Sequence, residues 1–203
     1  MNWSLSQIAA AVNGRLVGAD VTVEGVSTDT RAIAKGALFI ALAGERFDAH
    51  DFLDQAMAAG AGALLVADAG KLPAGVSAVV VDDTRLALGR LAAAWRARFA
   101  LPVIAVTGSN GKTTTKEMIA AILKVAHGAA VLSTRGNLNN DIGLPLMLLR
   151  LSGNHRAAVI EMGMNHPGEI APLVGMVQPH LAIITRIAPV HLEHLGSIEA
   201  IAD

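Results

Sequence analysis

Cysteine and tyrosine are both absent from this chain of 203 residues. Without cysteine there is no disulfide framework, no thiolate metal site and no cysteine nucleophile. Four Phe and two Trp are the only aromatic residues, so stacking platforms for nucleic-acid bases are scarce. A surplus of one charge is lacking too. Sixteen Lys and Arg stand against seventeen Asp and Glu, a net charge of −1 with no basic footprint for a polyanion. Nor does any apolar run approach the ~20 residues that a membrane-spanning helix needs. The 53% hydrophobic content is therefore core material, and a chain of this length can bury a sizeable core. Met1-Asn2-Trp3-Ser4 has no basic segment and no long apolar stretch behind it, which argues against a secretory signal. What is left is an α/β protein of a reducing compartment that acts on a small molecule, with room for one large domain or two small ones.

The first part of the chain is mixed. Ser4-Leu5-Ser6-Gln7 has the spacing of a capping box and predicts a helix to about Val12, stopped by Asn13-Gly14. Short strands are expected at Arg15–Val17, Val21–Val26, Leu38–Leu42, Ala63–Val66 and Val76–Val81, with a helix opened by Asp51 and running to Ala59. Asp82-Asp83-Thr84 then opens a periodic helix whose Leu86, Leu88, Leu91, Ala94, Trp95 and Phe99 are spaced to share one stripe. From Pro102 onward the rhythm is regular. Strands at Val103–Thr107, Ala130–Ser133, Ala157–Met162 and Leu181–Thr185 alternate with helices at Lys112–Ala126, Ile142–Leu151 and Gly168–Val174. That alternation predicts a parallel sheet with helices on its faces. The expected fold is thus α/β, a small mixed α/β domain over residues 1–82 followed by a parallel-sheet domain over 83–203. Met57, Met118, Met147, Met162, Met164 and Met176 read as core filler.

One motif carries chemistry by itself. Thr107-Gly108-Ser109-Asn110-Gly111-Lys112-Thr113-Thr114 lies between an expected strand and an expected helix, the context of a phosphate loop. Its glycines let successive amides turn inward, and the helix that follows presents its positive end to an anion. Lys112 supplies a full charge for the β- and γ-phosphates, and the Thr113 hydroxyl is the expected Mg²⁺ ligand. Val106 stands where the general pattern has its first glycine, so the form here is the shorter G-x-x-G-K-T. An ordinary glycine-rich turn is the competing account.

T-G-S-N-G-K-T-T resembles the loop of the Mur ligases, which join amino acids or peptides to a carboxylate at the expense of ATP. The similarity extends along the chain. Ser27–Arg31, Gly36–Leu42 and Gly44–Phe52 resemble the uridine-nucleotide-binding domain of that family. Gly136-Asn137-Leu138-Asn139-Asn140-Asp141-Ile142-Gly143-Leu144-Pro145 and Ile160-Glu161-Met162-Gly163-Met164-Asn165-His166-Pro167-Gly168-Glu169-Ile170 resemble the subgroup that adds D-alanyl-D-alanine. The resemblance implies a cytoplasmic ATP- and Mg²⁺-dependent ligase acting on UDP-N-acetylmuramoyl-tripeptide and D-alanyl-D-alanine, monomeric at full length, with no nucleic-acid partner and no membrane insertion. Within the superfamily the alternatives are the ligase that adds the third residue, and folylpolyglutamate or cyanophycin synthetases. Outside it they are a P-loop kinase or GTPase and a non-catalytic nucleotide binder.

The resemblance also assigns residues. Gly108, Ser109, Asn110, Gly111, Lys112, Thr113 and Thr114 would hold the nucleotide, and Lys112, Glu161 and His191 the catalytic roles. Glu161, at the C-terminal end of an expected parallel strand where open sheets gather ligands, would hold Mg²⁺ together with Thr113. His191 would bind a second Mg²⁺, although a loop histidine is more often merely solvated, and His194 reads as surface. Asn137, Asn139 and Asn140 would contact substrate, against the plainer reading of asparagine as a turn former. Thr30, Arg31 and Arg46 would meet the uridine diphosphate, and salt bridges to Asp29, Asp48 or Asp51 compete for the arginines. Ligases of this family carry a carbamylated lysine beyond the His191 region and a further Rossmann-like domain. No lysine follows Lys124 here, and Ile201-Ala202-Asp203 reads as a helix in its first turn. The expectation is a central domain that is incomplete and a chain that cannot ligate alone.

Overall fold

The computed structural model describes residues 1–44, 47–190 and 197–202. It divides into two compact units, Met1–Ala94 and Trp95–Asp203, with the division falling inside the helix that opens at Thr84.

In the first unit, strand β1 (Asn2–Ser4) leads into α1 (Leu5–Val12). The capping box is present: Gln7 N–H donates to Ser4 Oγ at 3.3 Å, and Ser4 N–H donates to Gln7 Oε1 at 3.1 Å. Asn13 ends the helix in the left-handed region at φ 57°, as an asparagine can. Leu5, Ile8, Ala9 and Val12 form its buried face. The strand expected over Val21–Val26 is two strands, β3 (Thr22–Glu24) and β4 (Val26–Ser27), after β2 (Arg15–Val17). Gly25 separates them at φ +85°, a conformation that costs glycine little. The break lets β3 pair antiparallel with β1 while β4 joins another sheet.

That sheet continues through β5 (Leu38–Ile40), past the short pair β6 (Ala43–Gly44) and β7 (Phe47–Asp48), to β8 (Ala63–Val66) and β9 (Ala78–Val80). Its order is β2-β9-β8-β5-β4, parallel except at β2–β9. Strands β5 and β8 are buried at every residue, which explains why they read as unbroken apolar runs. The expected helix from Asp51 begins later, as α2 (Leu53–Ala58). Asp48, not Asp51, caps the preceding 3₁₀ turn through the His50 amide, and Asp51 accepts instead from Lys71 Nζ at 2.7 Å.

Helix α3 (Thr84–Arg96) crosses into the second unit. Leu88 and Leu91 are buried as the periodicity requires, but Leu86 is exposed and the helix ends before Phe99. At its C-terminal end Trp95 donates its indole N–H to Leu151 O at 3.0 Å. The Arg96 guanidinium is buried on the Val177, Phe99 and Gln178 carbonyls, and burial pushes its pKa down.

The second unit then follows the expected alternation: β10 (Val103–Thr107), α4 (Lys112–His127), β11 (Val131–Ser133), α5 (Gly143–Leu148), β12 (Ala157–Glu161), α6 (Ile170–Val177), β13 (Leu181–Ile184) and α7 (Ile198–Ala202). The four strands are all parallel, in the order β11-β12-β10-β13. Val106, Ala120, Val131 and Val159 pack α4 onto one face. Met147 and Met162 are core residues, whereas Met118 lies on the outer side of α4 at 62% exposure, so that methionine is not filler. Among the described residues, no helix is long and apolar enough to cross a membrane.

Candidate functional site

Connections leave β10 toward β11 on one side of the sheet and reach β13 on the other, so the strand order reverses at β10. Ligands of open parallel sheets gather at the carboxyl ends of strands at such a point. The loop Gly108–Gly111 sits there. Gly108 has φ +127°, and a Cβ on it would run into Thr185 Oγ1 and lie 2.9 Å from Arg186 O. Gly111, left-handed at φ 80°, caps α4 without any side-chain hydrogen bond, which leaves the first amides of a long helix for an anion. Lys112 folds over the loop, its Nζ 2.6 Å from Gly108 O and 3.3 Å from Ser109 O. Thr113 and Thr114 are exposed on the first turn.

A brace absent from the sequence-based expectations holds this loop from the β13 side. Thr185 Oγ1 donates to Thr107 O at 3.1 Å and to Asn110 O at 2.5 Å. Ser109 N–H donates to Arg186 O at 2.7 Å, and its hydroxyl exchanges bonds with the Ala188 backbone at 2.9 and 3.0 Å. Ser109 is therefore committed to loop shape. A cavity of about 500 Å³ opens beside the loop, lined by Gly108, Lys112, Met164, Ile170, Ile184 and Arg186 among others. The only advance signal was that Thr185 ends an expected strand and Arg186 follows it.

Glu161 ends β12, paired in register with Val106, two residues before the loop begins at Gly108. Its side chain is almost wholly buried, at 2% exposure. Asn139 Nδ2 donates to Oε1 at 2.8 Å, while Oε2 is buried and accepts no hydrogen bond. A buried carboxylate oxygen without a donor is costly unless a cation meets it. Among the described residues no group of three His, Asp or Glu converges on one point. A single buried carboxylate with one unmet oxygen suits Mg²⁺, which takes one or two carboxylates and completes its shell with phosphates and water.

The three asparagines are separated in role. Asn139 orients Glu161, and Asn140 Oδ1 accepts from the Ile142 and Gly143 amides at 3.3 and 2.8 Å, at the start of α5. Asn137 is exposed. In the first unit, Thr30 lies in a 3₁₀ turn capped by Asp29. Arg31 forks onto that same Asp29, with Nε–Oδ1 at 2.9 Å and Nη2–Oδ2 at 2.7 Å. This bond from Arg31 holds the Asp29 carboxyl down at about 2. Arg46, His191 and His194 lie outside the described residues.

Comparison with known proteins places both units. The Mur ligase middle domain matches residues 106–203, and the family described as Mur ligase family, catalytic domain, matches residues 22–96. UDP-N-acetylmuramoyl-tripeptide–D-alanyl-D-alanine ligase of Escherichia coli K12 is 52% identical over 199 residues, covering 98% of this chain and 43% of that protein. The crystal structure of MurF from Acinetobacter baumannii superposes with a TM-score of 0.92 at 44% identity, covering 100% of this chain and 45% of the other. MurF ligase from Thermotoga maritima, crystallised in complex with ADP, gives a TM-score of 0.80 at 34% identity over 89% of this chain and 41% of its own. The chain thus spans less than half the length of these relatives.

Proposed function

Because the chain belongs to the Mur ligase family, we propose that it carries the UDP-substrate-binding and ATP-binding parts of a D-alanyl-D-alanine-adding ligase. Residues 1–82 would take the UDP-N-acetylmuramoyl-tripeptide and the second unit the ATP. In the whole enzyme, ATP phosphorylates the free terminal carboxylate of the tripeptide. The amine of D-alanyl-D-alanine then attacks the acyl phosphate, giving an amide, ADP and phosphate. A carboxylate is a poor electrophile at neutral pH, and phosphorylation converts one of its oxygens into part of a good leaving group. The setting that goes with such substrates is cytoplasmic.

The observation that carries this reading is the buried, donorless Glu161 Oε2 beside a phosphate loop at the strand-order reversal. Lys112 and the free amides of α4 bind the β- and γ-phosphates and neutralise charge as the phosphoryl group leaves. Glu161 and Thr113 are the residues that would hold Mg²⁺, which when bound spreads the phosphate charge. Asn139 keeps the Glu161 carboxylate aimed, and Thr185 with Ser109 keeps the loop in one shape before nucleotide arrives. The fork from Arg31 to Asp29 uses Nε and Nη2, so Nη1 of this exposed guanidinium can meet a diphosphate without breaking it.

Calorimetry tests the two halves separately. The 203-residue chain should bind ADP with Mg²⁺, and Lys112→Ala should lose that affinity. UDP-N-acetylmuramoyl-tripeptide should bind the same chain and survive Lys112→Ala. A chain that binds ADP but no UDP-linked ligand would refute the assignment of residues 1–82 to the UDP-linked substrate. In the chain extended to the length of its relatives, Lys112→Ala should abolish ligation of D-alanyl-D-alanine, and ligation at near-parental rate would refute the loop assignment.

A further inference from the structure

Lys116 lies one turn beyond Lys112 on α4, and its side chain is 1% exposed. An isolated ammonium in that position would cost several kcal/mol in lost hydration. It is compensated by two acceptors: the Glu117 carboxylate and, at 2.8 Å, the backbone carbonyl of Thr134. Filling space does not require this. A methionine of similar length would occupy the same volume with no desolvation to offset, so the charge serves the groups that it touches.

Those groups lead to Glu161. Thr134 immediately follows β11 and is itself 1% exposed. Its N–H donates to Val159 O at 3.1 Å, and its Oγ1 accepts from Glu161 N–H at 2.9 Å. Thr134 is therefore stitched to β12 on both sides of Ile160, while Lys116 fixes the remaining polar group of its backbone. Asn139 holds Glu161 from the other end, through Oε1. Together these contacts fix both the backbone and one carboxylate oxygen of Glu161, and leave Oε2 as the single unmet acceptor.

We propose that Lys116 is a positioning residue for the nucleotide-bound cation: it fixes the Thr134 peptide, and through the Thr134 hydroxyl it sets the backbone from which the Glu161 carboxylate reaches the metal. This rests on the reading of Glu161 as the cation's ligand. Groups that orient a metal ligand are worth about 10–100-fold in metal affinity when removed. The sequence carries the residue as the second lysine of G-K-T-T-T-K, where it looks like one more surface charge on a helix.

The test is a Mg²⁺ titration of fluorescent-ADP binding to the 203-residue chain, with the same affinity measured in EDTA. Lys116→Met should raise the Mg²⁺ midpoint about tenfold while ADP affinity in EDTA stays within about twofold, because the loop is untouched. Thr134→Val, which removes the hydroxyl at nearly constant volume, should shift the midpoint in the same direction. Lys116→Arg should recover part of the loss. An unchanged midpoint in Thr134→Val and in whichever Lys116 variant folds overturns the proposal. So does a parallel loss of affinity in EDTA, which would mean general packing. If Glu161→Gln leaves the Mg²⁺ response of the parent intact, the ligand reading itself is wrong, and the proposal falls with it.

Discussion

Replacing Glu161 by glutamine should make the chain more stable in the absence of cation and less responsive in its presence. The parent buries a carboxylate at 2% exposure with a single donor, Asn139 Nδ2 at 2.8 Å on Oε1, and none on Oε2. Glutamine keeps the Oε1 acceptor and replaces the charged oxygen by a neutral amide group. An unmet neutral group costs about 1–3 kcal/mol, and an unmet charged one costs more. The difference favours the variant by about 1–2 kcal/mol, or roughly 2–8 °C in the melting of a chain this long. Nucleotide reverses the order. Mg²⁺ with ADP at a hundredfold over Kd should stabilise the parent by about 2.7 kcal/mol, and the variant by no more than ADP alone does. Thermal melts in EDTA, in ADP with EDTA and in ADP with Mg²⁺ give all the comparisons. A variant that melts below the parent in EDTA and still gains stability on adding Mg²⁺ would refute the reasoning, since the carboxylate would then be a structural group.

Gly108→Ala should cut ADP affinity by at least about tenfold and destabilise by about 1–3 kcal/mol, because the new Cβ meets the Thr185 hydroxyl and the Arg186 backbone at a left-handed φ. Gly153→Ala, with open space and no positive φ, is the control and should change neither. The Asp29 carboxyl, held at about 2 by Arg31, should titrate well below the ordinary ~3.9 when followed by carbon-detected NMR. A depressed folded value means that its stabilising effect is complete above about pH 4 and is lost as pH falls toward 2, modestly and less so in salt, since the pair is exposed. An ordinary titration midpoint would show that the fork does not persist in solution.

Local signals were legible wherever one stretch of chain supplies both partners. Ser4 and Gln7 cap one helix, and Gly108 to Thr113 make one turn between a strand and a helix. Strands buried on both faces announced themselves as apolar runs. Boundaries failed where a backbone feature intervened, as at Gly25, which divides the expected strand Val21–Val26 between two sheets. The outward placement of Leu86 and Met118 was also missed, since periodicity marks a stripe and not what covers it.

By itself the chain's order of residues determined the glycine-rich turn between β10 and α4, the parallel alternation and the family, because each is written in contiguous segments. Only the tertiary structure decided what surrounds them. It set Thr185 and Ala188 against the loop across roughly 75–79 positions of sequence, paired Glu161 with Asn139 and Thr134, and turned Lys116 inward. Those contacts follow from strand order β11-β12-β10-β13, which brings together ends of strands that are remote in the chain. A lone carboxylate, hydroxyl or ammonium has no direction in a sequence. It acquires one when burial withdraws water and leaves a particular neighbour as its partner.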